Sequence, residues 1–274
     1  MTPLYRYALT ALLCCSTLAA ADLKIKSRET LNLGGNTRTT ENARTVYFQG
    51  PRARDEWSFG KNAGGLITIT QCDLKRVITV LGGNQCVVVS LEGGDSCLAK
   101  PEEPAPLADG KSSAPHKGGV ATVTNTTTDT GERQEMFGYE TRHLKTSSVW
   151  VSTPDACNRL DDKIEADGWY AELSPNPECE REVDRAMACF PQDDTGCVDR
   201  VVLQGDDGSM GLYAMKSTVT HTSKTLKMVI TNEVVEVTST TLDPSLFEMP
   251  PGCRVAESGN RVPHPSRTGK VSAP

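Results

Sequence analysis

Histidine and aromatic residues are scarce in this chain, and that limits the chemistry it can carry. Its 274 residues hold four His, three Trp, six Tyr and five Phe. His116 falls in a Pro-rich stretch and His264 in the tail, while His143 ("YETRHLKT") and His221 ("TVTHTSKT") fall within strand-like patterns. A general base needs a fixed partner and a nearby nucleophile. The sequence has no G-x-S-x-G elbow, H-E-x-x-H pair, Walker loop or dinucleotide fingerprint to supply them. The Gly-Gly pairs of "NLGGN", "NAGGL" and "LGGNQ" lack the following helix that makes a phosphate cradle, and they read as turns. No catalytic residue and no cofactor is expected. A hydrolase hidden among the 35 acidic residues is the residual enzymatic possibility.

Basic blocks and long apolar runs are also missing. The net charge is −6 with no basic cluster, which argues against a nucleic-acid partner. The longest apolar run, Ala8–Leu18, is about 11 residues, against roughly 20 for a spanning helix. With Arg6 before it and Ala19-Ala20-Ala21 after it, the run reads as a secretory leader, 1–21, cleaved after Ala21. Leu12 and Leu13 are too bulky for the small residues that precede a lipidated cysteine at Cys14 or Cys15. The mature chain is expected to be soluble and periplasmic or secreted.

The motif C-x-x-C is absent from the mature chain, so a zinc knuckle or ribbon is not expected. Of ten cysteines, two lie in the leader, leaving Cys72, Cys86, Cys97, Cys157, Cys179, Cys189, Cys197 and Cys253. An even set in an exported chain reads as disulfides, although eight cysteines allow 105 pairings. Short loops favour local bridges, Cys86–Cys97 and one within Cys179–Cys197. Acidic runs such as "RLDDKIEADGW", "QDDTG" and "GDDG" lack the alternating oxygen ligands of a calcium loop, so no metal is expected. Asn125-Thr126-Thr127 fits a glycosylation acceptor, which matters only in a host that glycosylates.

What the chain does have is alternation. In "DLKIKSRETL", Leu23 and Ile25 share one face and Lys24 and Lys26 the other. "RTVYFQG" returns after Gly34-Gly35-Asn36, and short strands follow at Leu66–Gln71, Arg76–Leu81 and "QCVVVSLE". Residues 99–119 ("AKPEEPAPLADGKSSAPHKGG") read as a flexible insertion. Strands resume at Val120–Thr128 and Glu140–Ser152 with Asp129–Gly131 as the turn. Pro177–Phe190 is the best helical stretch, with Val183, Met187 and Phe190 in phase. Gly205-Asp206-Asp207-Gly208 signals a hairpin turn, long strands follow it, and 255–274 reads as a disordered tail. The fold class is mainly β: a curved antiparallel sheet or incomplete barrel with one or two short helices, stapled by disulfides. Residues 22–254 form its single domain.

Three stretches, "VYFQGPRARDEW", "ITQCDLKRVITV" and "TTLDPSLFEMPPGCRV", resemble the DUF4412 family of exported bacterial proteins of uncharacterised function. More distantly, the pattern resembles the periplasmic lipoprotein-carrier and lipoprotein-sorting superfamily. That resemblance implies an incomplete β-barrel with helices over its concave face and a hollow for acyl chains. The carriers have an Arg before the Pro of the strand bend; this chain has Gly50 there, so the gate residue does not carry over.

Together these features lead to an exported, non-enzymatic binding protein with a hydrophobic or lipid envelope component as ligand. Val87, Val89, Leu226, Met228 and Ile230 are the aliphatics that would line its site. The competing class is a structural or interaction protein of the envelope, its core filled by its own side chains and its partners other envelope proteins. In "TVYFQGPRARDEW", Gly50-Pro51 marks an edge or bend. Arg52, Arg54 and Glu56 share one face, read as solvated, and Ala53, Asp55 and Trp57 share the other. Asp55 makes that second face an imperfect core.

Overall fold

The computed structural model describes residues 22–34, 39–60, 64–81, 84–92, 117–157, 161–188, 197–205, 207–209 and 211–255. Alternation produces strands almost throughout. Leu23–Leu33 (β1), Thr39–Gln49 (β2), Arg52–Phe59 (β3), Gly65–Gln71 (β4), Arg76–Leu81 (β5) and Gln85–Ser90 (β6) form one meander. Lys117–Met136 (β7), Tyr139–Ser152 (β8) and Lys163–Ala171 (β9) form another. Helix Pro177–Ala188 (α1) follows, then Val198–Gly205 (β10), Tyr213–Thr222 (β11), Lys227–Ser239 (β12) and Arg254–Val255 (β13). All thirteen strands join one curved, open sheet in the order β10-β7-β8-β9-β11-β12-β1-β2-β3-β4-β5-β6-β13. The interior pairings are antiparallel, as alternation without crossover helices predicts. The two edges differ: β10 runs parallel to β7 and β13 parallel to β6.

Two turns fall elsewhere than the sequence predicts. Asp129–Gly131 is no turn but a wide bulge inside β7, where the ladder jumps from Asp129 opposite Leu144 to Arg133 opposite Arg142. The turn chemistry is spent locally: Asp129 accepts the Gly131 N–H at 2.9 Å and pairs with Arg133. The hairpin instead closes at Phe137-Gly138, both at positive φ. Gly205–Gly208 opens no hairpin either, since β11 pairs with β9 and β12 rather than with β10. Lys117, Gly118 and Gly119, read as part of the insertion, begin β7. Gly50-Pro51 is a bend between the central strands β2 and β3, with Gly50 at φ 52°. The rest of the insertion, the leader, Cys97, Cys189, Phe190 and residues 256–274 lie outside the described residues.

The bridges are long-range: Cys72–Cys179, Cys86–Cys253 and Cys157–Cys197, closing separations of 107, 167 and 40 residues. The local pairings expected from short loops do not form. A short loop is cheap to close, but a bridge must also meet Cα–Cα geometry, and the sheet brings distant cysteines to 5.7–5.8 Å. Three disulfides among the described residues are the chemistry of an oxidising, extracytoplasmic compartment.

Each face of the sheet has its own cover. On one, hereafter the inner face, Leu23, Ile25, Val46, Phe48, Met215 and Val234 pack with Ala171 and Leu173. Farther along that face, Val77 and Val89 pack against Leu91, Cys179 and Val183, so α1 sits over them, tied by Cys72–Cys179. On the opposite face, Ile69, Ile78, Val80 and Val88 pack under Met249 and Cys253. There Phe247, 0% exposed, anchors a 3₁₀ turn, Pro244–Phe247. Replacing Cys72 and Cys179 together by Ser is expected to lower unfolding stability by about 2–4 kcal/mol in urea melts. Peptide mapping of the unreduced wild type should recover the three long-range links.

Candidate functional site

The inner face has a polar interruption at its centre. Strand alternation and cross-strand register place two rows side by side there: Ser27 opposite Arg44 opposite Trp57, and Glu29 opposite Asn42 opposite Phe59. Ser27 and Asn42 are buried, at 4% and 6% exposure. Arg44 grips Asp55 with two groups, Nε at 3.0 Å from Oδ1 and Nη2 at 2.8 Å from Oδ2. Its guanidinium lies 4.8 Å from the Trp57 ring and 5.8 Å from that of Tyr213. Planar, delocalised arginine suits such a stacked, bidentate position where lysine would not. Burial tends to lower the Arg44 pKa, but hydrogen bonding and charge from Asp55 outweigh it and raise the pKa.

Hydrogen bonding across this block is incomplete. Asn42 Nδ2 donates to Glu29 at 3.2 Å, yet Asn42 Oδ1 is buried without a partner. Ser27 lies close enough to Tyr213 to ease its ionisation, but neither hydroxyl makes a hydrogen bond of normal geometry. Burial above all raises the Tyr213 pKa. Leaving a buried polar atom unpaired costs about 1–3 kcal/mol, so such atoms cluster where something else satisfies them. Glu180 of α1 faces the same block; burial raises its pKa, opposed by Ser174 and by Arg44.

Two aliphatic rows adjoin the polar block on the same face. One runs Ala166, Val219, Ile230, Leu31, and the other Ile164, His221, Met228, Leu33. All are half-buried except Leu33, which is exposed. The structure thus brings Met228 and Ile230 together. It leaves Leu226 in the turn before β12, where its N–H meets Ser223 Oγ at 3.1 Å. It puts Val87 and Val89 far across the sheet, with Val89 packed against the residues beneath α1. A depression of about 420 Å³ lies beside Trp57, floored by Ile67, Val80 and Leu81. A second, of about 350 Å³, is lined by the charged Arg28, Glu41, Lys216 and Glu233. Neither includes any of the five aliphatics picked from sequence.

The charge row of β3 is not a solvated face. Arg52 is bound to Asp73 (Nη2–Oδ2 2.8 Å) and Glu248 (Nη1–Oε1 2.5 Å), and Arg54 donates to the Leu246 carbonyl at 2.8 Å. With Gln71 Nε2 bonded to the Phe247 carbonyl at 2.8 Å, these side chains clamp the C-terminal segment onto the sheet. The signal for the polar block was present: Ser27, Glu29, Asn42 and Arg44 occupy the apolar phase of β1 and β2, where polar residues need a reason. Tyr213 gave no such signal, because a tyrosine at a strand start reads as ordinary core.

The two described histidines are each held by carboxylates. His143 stacks on Trp169 at 4.9 Å, with Nδ1 2.8 Å from Glu132 and Nε2 2.7 Å from Asp167. Both ring nitrogens face carboxylates, an arrangement only the imidazolium satisfies. Hydrogen bonding to Asp167, joined by Glu132, raises its pKa against the opposing effect of burial. His221 Nε2 lies 2.8 Å from Asp162. Cys157, Cys197 and Asp199 come together, but the two sulfurs are bonded to each other, and Asp199 Oδ1 accepts the Gly119 and Cys157 N–H groups. The trio works as a staple.

Arg44→Ala should destabilise the protein by about 2 kcal/mol, because Asp55 then stays three-quarters covered without its partner. Adding Asp55→Ala should recover part of that loss in a double-mutant cycle. For His143 the folded pKa is raised, so its contribution is complete below the ordinary value of 6.5 and is lost as pH rises through the folded value. His143→Asn should flatten that fall when urea midpoints are compared from about pH 5.5 to about pH 8.5.

No protein-family model matches the sequence, and no curated protein sequence matches it. Among solved structures, the chain is similar to PNGF-II, with TM-score 0.35 and 11% identity over 86% of this chain and 31% of that one. It therefore spans under a third of PNGF-II. It is similar to an outer membrane lipoprotein-sorting protein domain from Vibrio parahaemolyticus, with TM-score 0.31 and 7% identity over 83% of this chain and 89% of that one. It is also similar to a DUF1329 family protein from Desulfovibrio piger, with TM-score 0.31 and 10% identity over 83% and 90%. These superpositions are too loose to lay one site residue on another, and no family match supports the DUF4412 resemblance.

Proposed function

We propose that the protein is an exported, non-enzymatic binding protein, periplasmic or secreted after cleavage behind Ala21. It takes up an amphiphilic envelope component on the inner face of its sheet. One observation carries this reading. Three buried polar atoms without partners, Ser27 Oγ, Asn42 Oδ1 and Tyr213 OH, lie next to half-buried aliphatic rows. An apolar chain along Leu31, Val219, Met228 and Ile230 would bury hydrocarbon at about 25 cal/mol per Å². Its polar end would then fall beside the unmet groups. Leu33, at the end of one aliphatic row, and Phe59, at the end of the polar row, are 39% and 37% exposed, which supports access from solvent.

A second reading, a structural envelope protein with no small ligand, draws support from the packing of Leu91, Cys179 and Val183 over Val77 and Val89. Organic extraction of the oxidised mature protein, made in bacteria and analysed by mass spectrometry, separates the two. Near-stoichiometric amphiphile is expected, and it should drop several-fold in Ile230→Asp. A clean wild-type protein would leave the structural reading standing.

A further inference from the structure

The β7–β8 hairpin outruns the sheet. Among the described residues, β10 pairs with β7 only as far as Asn125, and β9 pairs with β8 only from Arg142 onward. Residues 133–142 are therefore a ribbon whose two strands pair only with each other. A lone two-stranded ribbon is marginally stable in water. Its turn, Phe137-Gly138, has both residues at positive φ, which suits a tight hairpin. Along one side, Met136 and Tyr139 pack against the apolar cluster around Ile25 and Phe48, and Thr141, two residues on, is fully buried. Along the other side, Glu135 stands directly opposite Glu140, and Arg133 opposite Arg142. Like charges facing each other across a ladder weaken it. Arg133 feels Glu140 on the diagonal, yet both arginines bond outside the ribbon, Arg133 to Asp129 at 2.9 Å and Arg142 to Glu172 at 2.6 Å.

The root of the ribbon combines a hinge with a clasp. The hinge is the bulge in β7, where residues 130–132 are left out of the ladder. Such a bulge bends its strand and interrupts pairing. The clasp is His143, whose ring meets Glu132 of the bulge at Nδ1 and Asp167 of β9 at Nε2. It thereby ties the ribbon's root to the body of the sheet. Around it stand Thr130, with Oγ1 3.2 Å from Nδ1, the stacked Trp169, and Lys145, which reaches Asp167 at 3.3 Å. Lys216, opposite Trp169 in the next strand, is paired with Glu233 at 3.6 Å. A neutral imidazole donates to one carboxylate only and turns a lone pair on the other. The folded pKa of His143 lies above its ordinary value. The clasp is therefore shut at mildly acidic pH and opens at one end as pH rises through the folded value.

We propose that residues 133–142 form a hinged flap over the inner-face apolar cluster, held shut by the Glu132–His143–Asp167 clasp and released when His143 loses its proton. The flap needs no ligand, so its test is separate from that of the amphiphile reading. Hydrogen–deuterium exchange of the oxidised mature protein is followed by mass spectrometry at about pH 5.5 and about pH 8.5, with rates corrected for intrinsic exchange. Peptides from residues 133–142 should exchange several-fold faster at the higher pH, while those from β1 and β12 keep their protection. In His143→Asn the ribbon should exchange quickly at both pH values. Glu132→Gln, which unhooks one end of the clasp, should shrink the change seen in the wild type. Equal ribbon protection at the two pH values would overturn the flap. So would protection lost from the ribbon, β1 and β12 together, or a His143→Asn ribbon that still follows pH.

Discussion

An open sheet has two faces and two edges, and one helix of twelve residues can cover only part of one face. Keeping apolar side chains dry on both faces is therefore the constraint that the rest of this structure answers. Disulfides answer it twice. Cys72–Cys179 holds α1 over Val77 and Val89, and Cys86–Cys253 holds the C-terminal segment over Ile69 and Ile78. The bridges restrict the unfolded chain and keep the covers at high local concentration over their seats. Arg52, Arg54 and Gln71 then orient the second cover by hydrogen bonds to Glu248, Leu246 and Phe247.

The inner face changes in character away from the apolar seat of α1. Its chemistry changes from the packed cluster around Phe48, through the polar block at Arg44, to the half-buried rows around Ile230. A filled core would have no use for a guanidinium held between two rings or for hydroxyls without partners. Buried ion pairs often contribute little net stability compared with apolar replacements. The Arg44–Asp55 pair is thus better understood as fixing the geometry of the block than as holding the fold together.

Much of the fold was legible because period-two alternation is a strong signal: Arg76–Leu81 begins and ends where the pattern predicts. The errors share a cause. Asp129–Gly131 and Gly205–Gly208 carry real turn chemistry, but turn chemistry also builds bulges and strand exits, and only the partner strand decides which. The bridges were not legible, because Cα–Cα distance depends on tertiary structure that short-loop reasoning ignores. The site was half legible. Asp55 and Trp57 stood out as an imperfect core face, but their partners Arg44, Ser27 and Asn42 sit in neighbouring strands, and pairing register is not written locally.

The bulge where Lys26 lies opposite Glu236 and Ser27 opposite Val234 leaves Val235 as the surplus residue, 51% exposed. A strand has a reading frame of two, and this bulge is a place where the frame is reset. On its N-terminal side, Val234, Asn232 and Ile230 share the face of Val237 only because Val235 is skipped. A codon lost at Val235 would restore a plain ladder and change nothing inward. A codon lost or gained elsewhere in β12 would shift the frame of the remaining strand and exchange its two faces. The aliphatic row and the edge of the polar block would then point to solvent. Over this strand, length is inherited as strictly as composition, except at one residue.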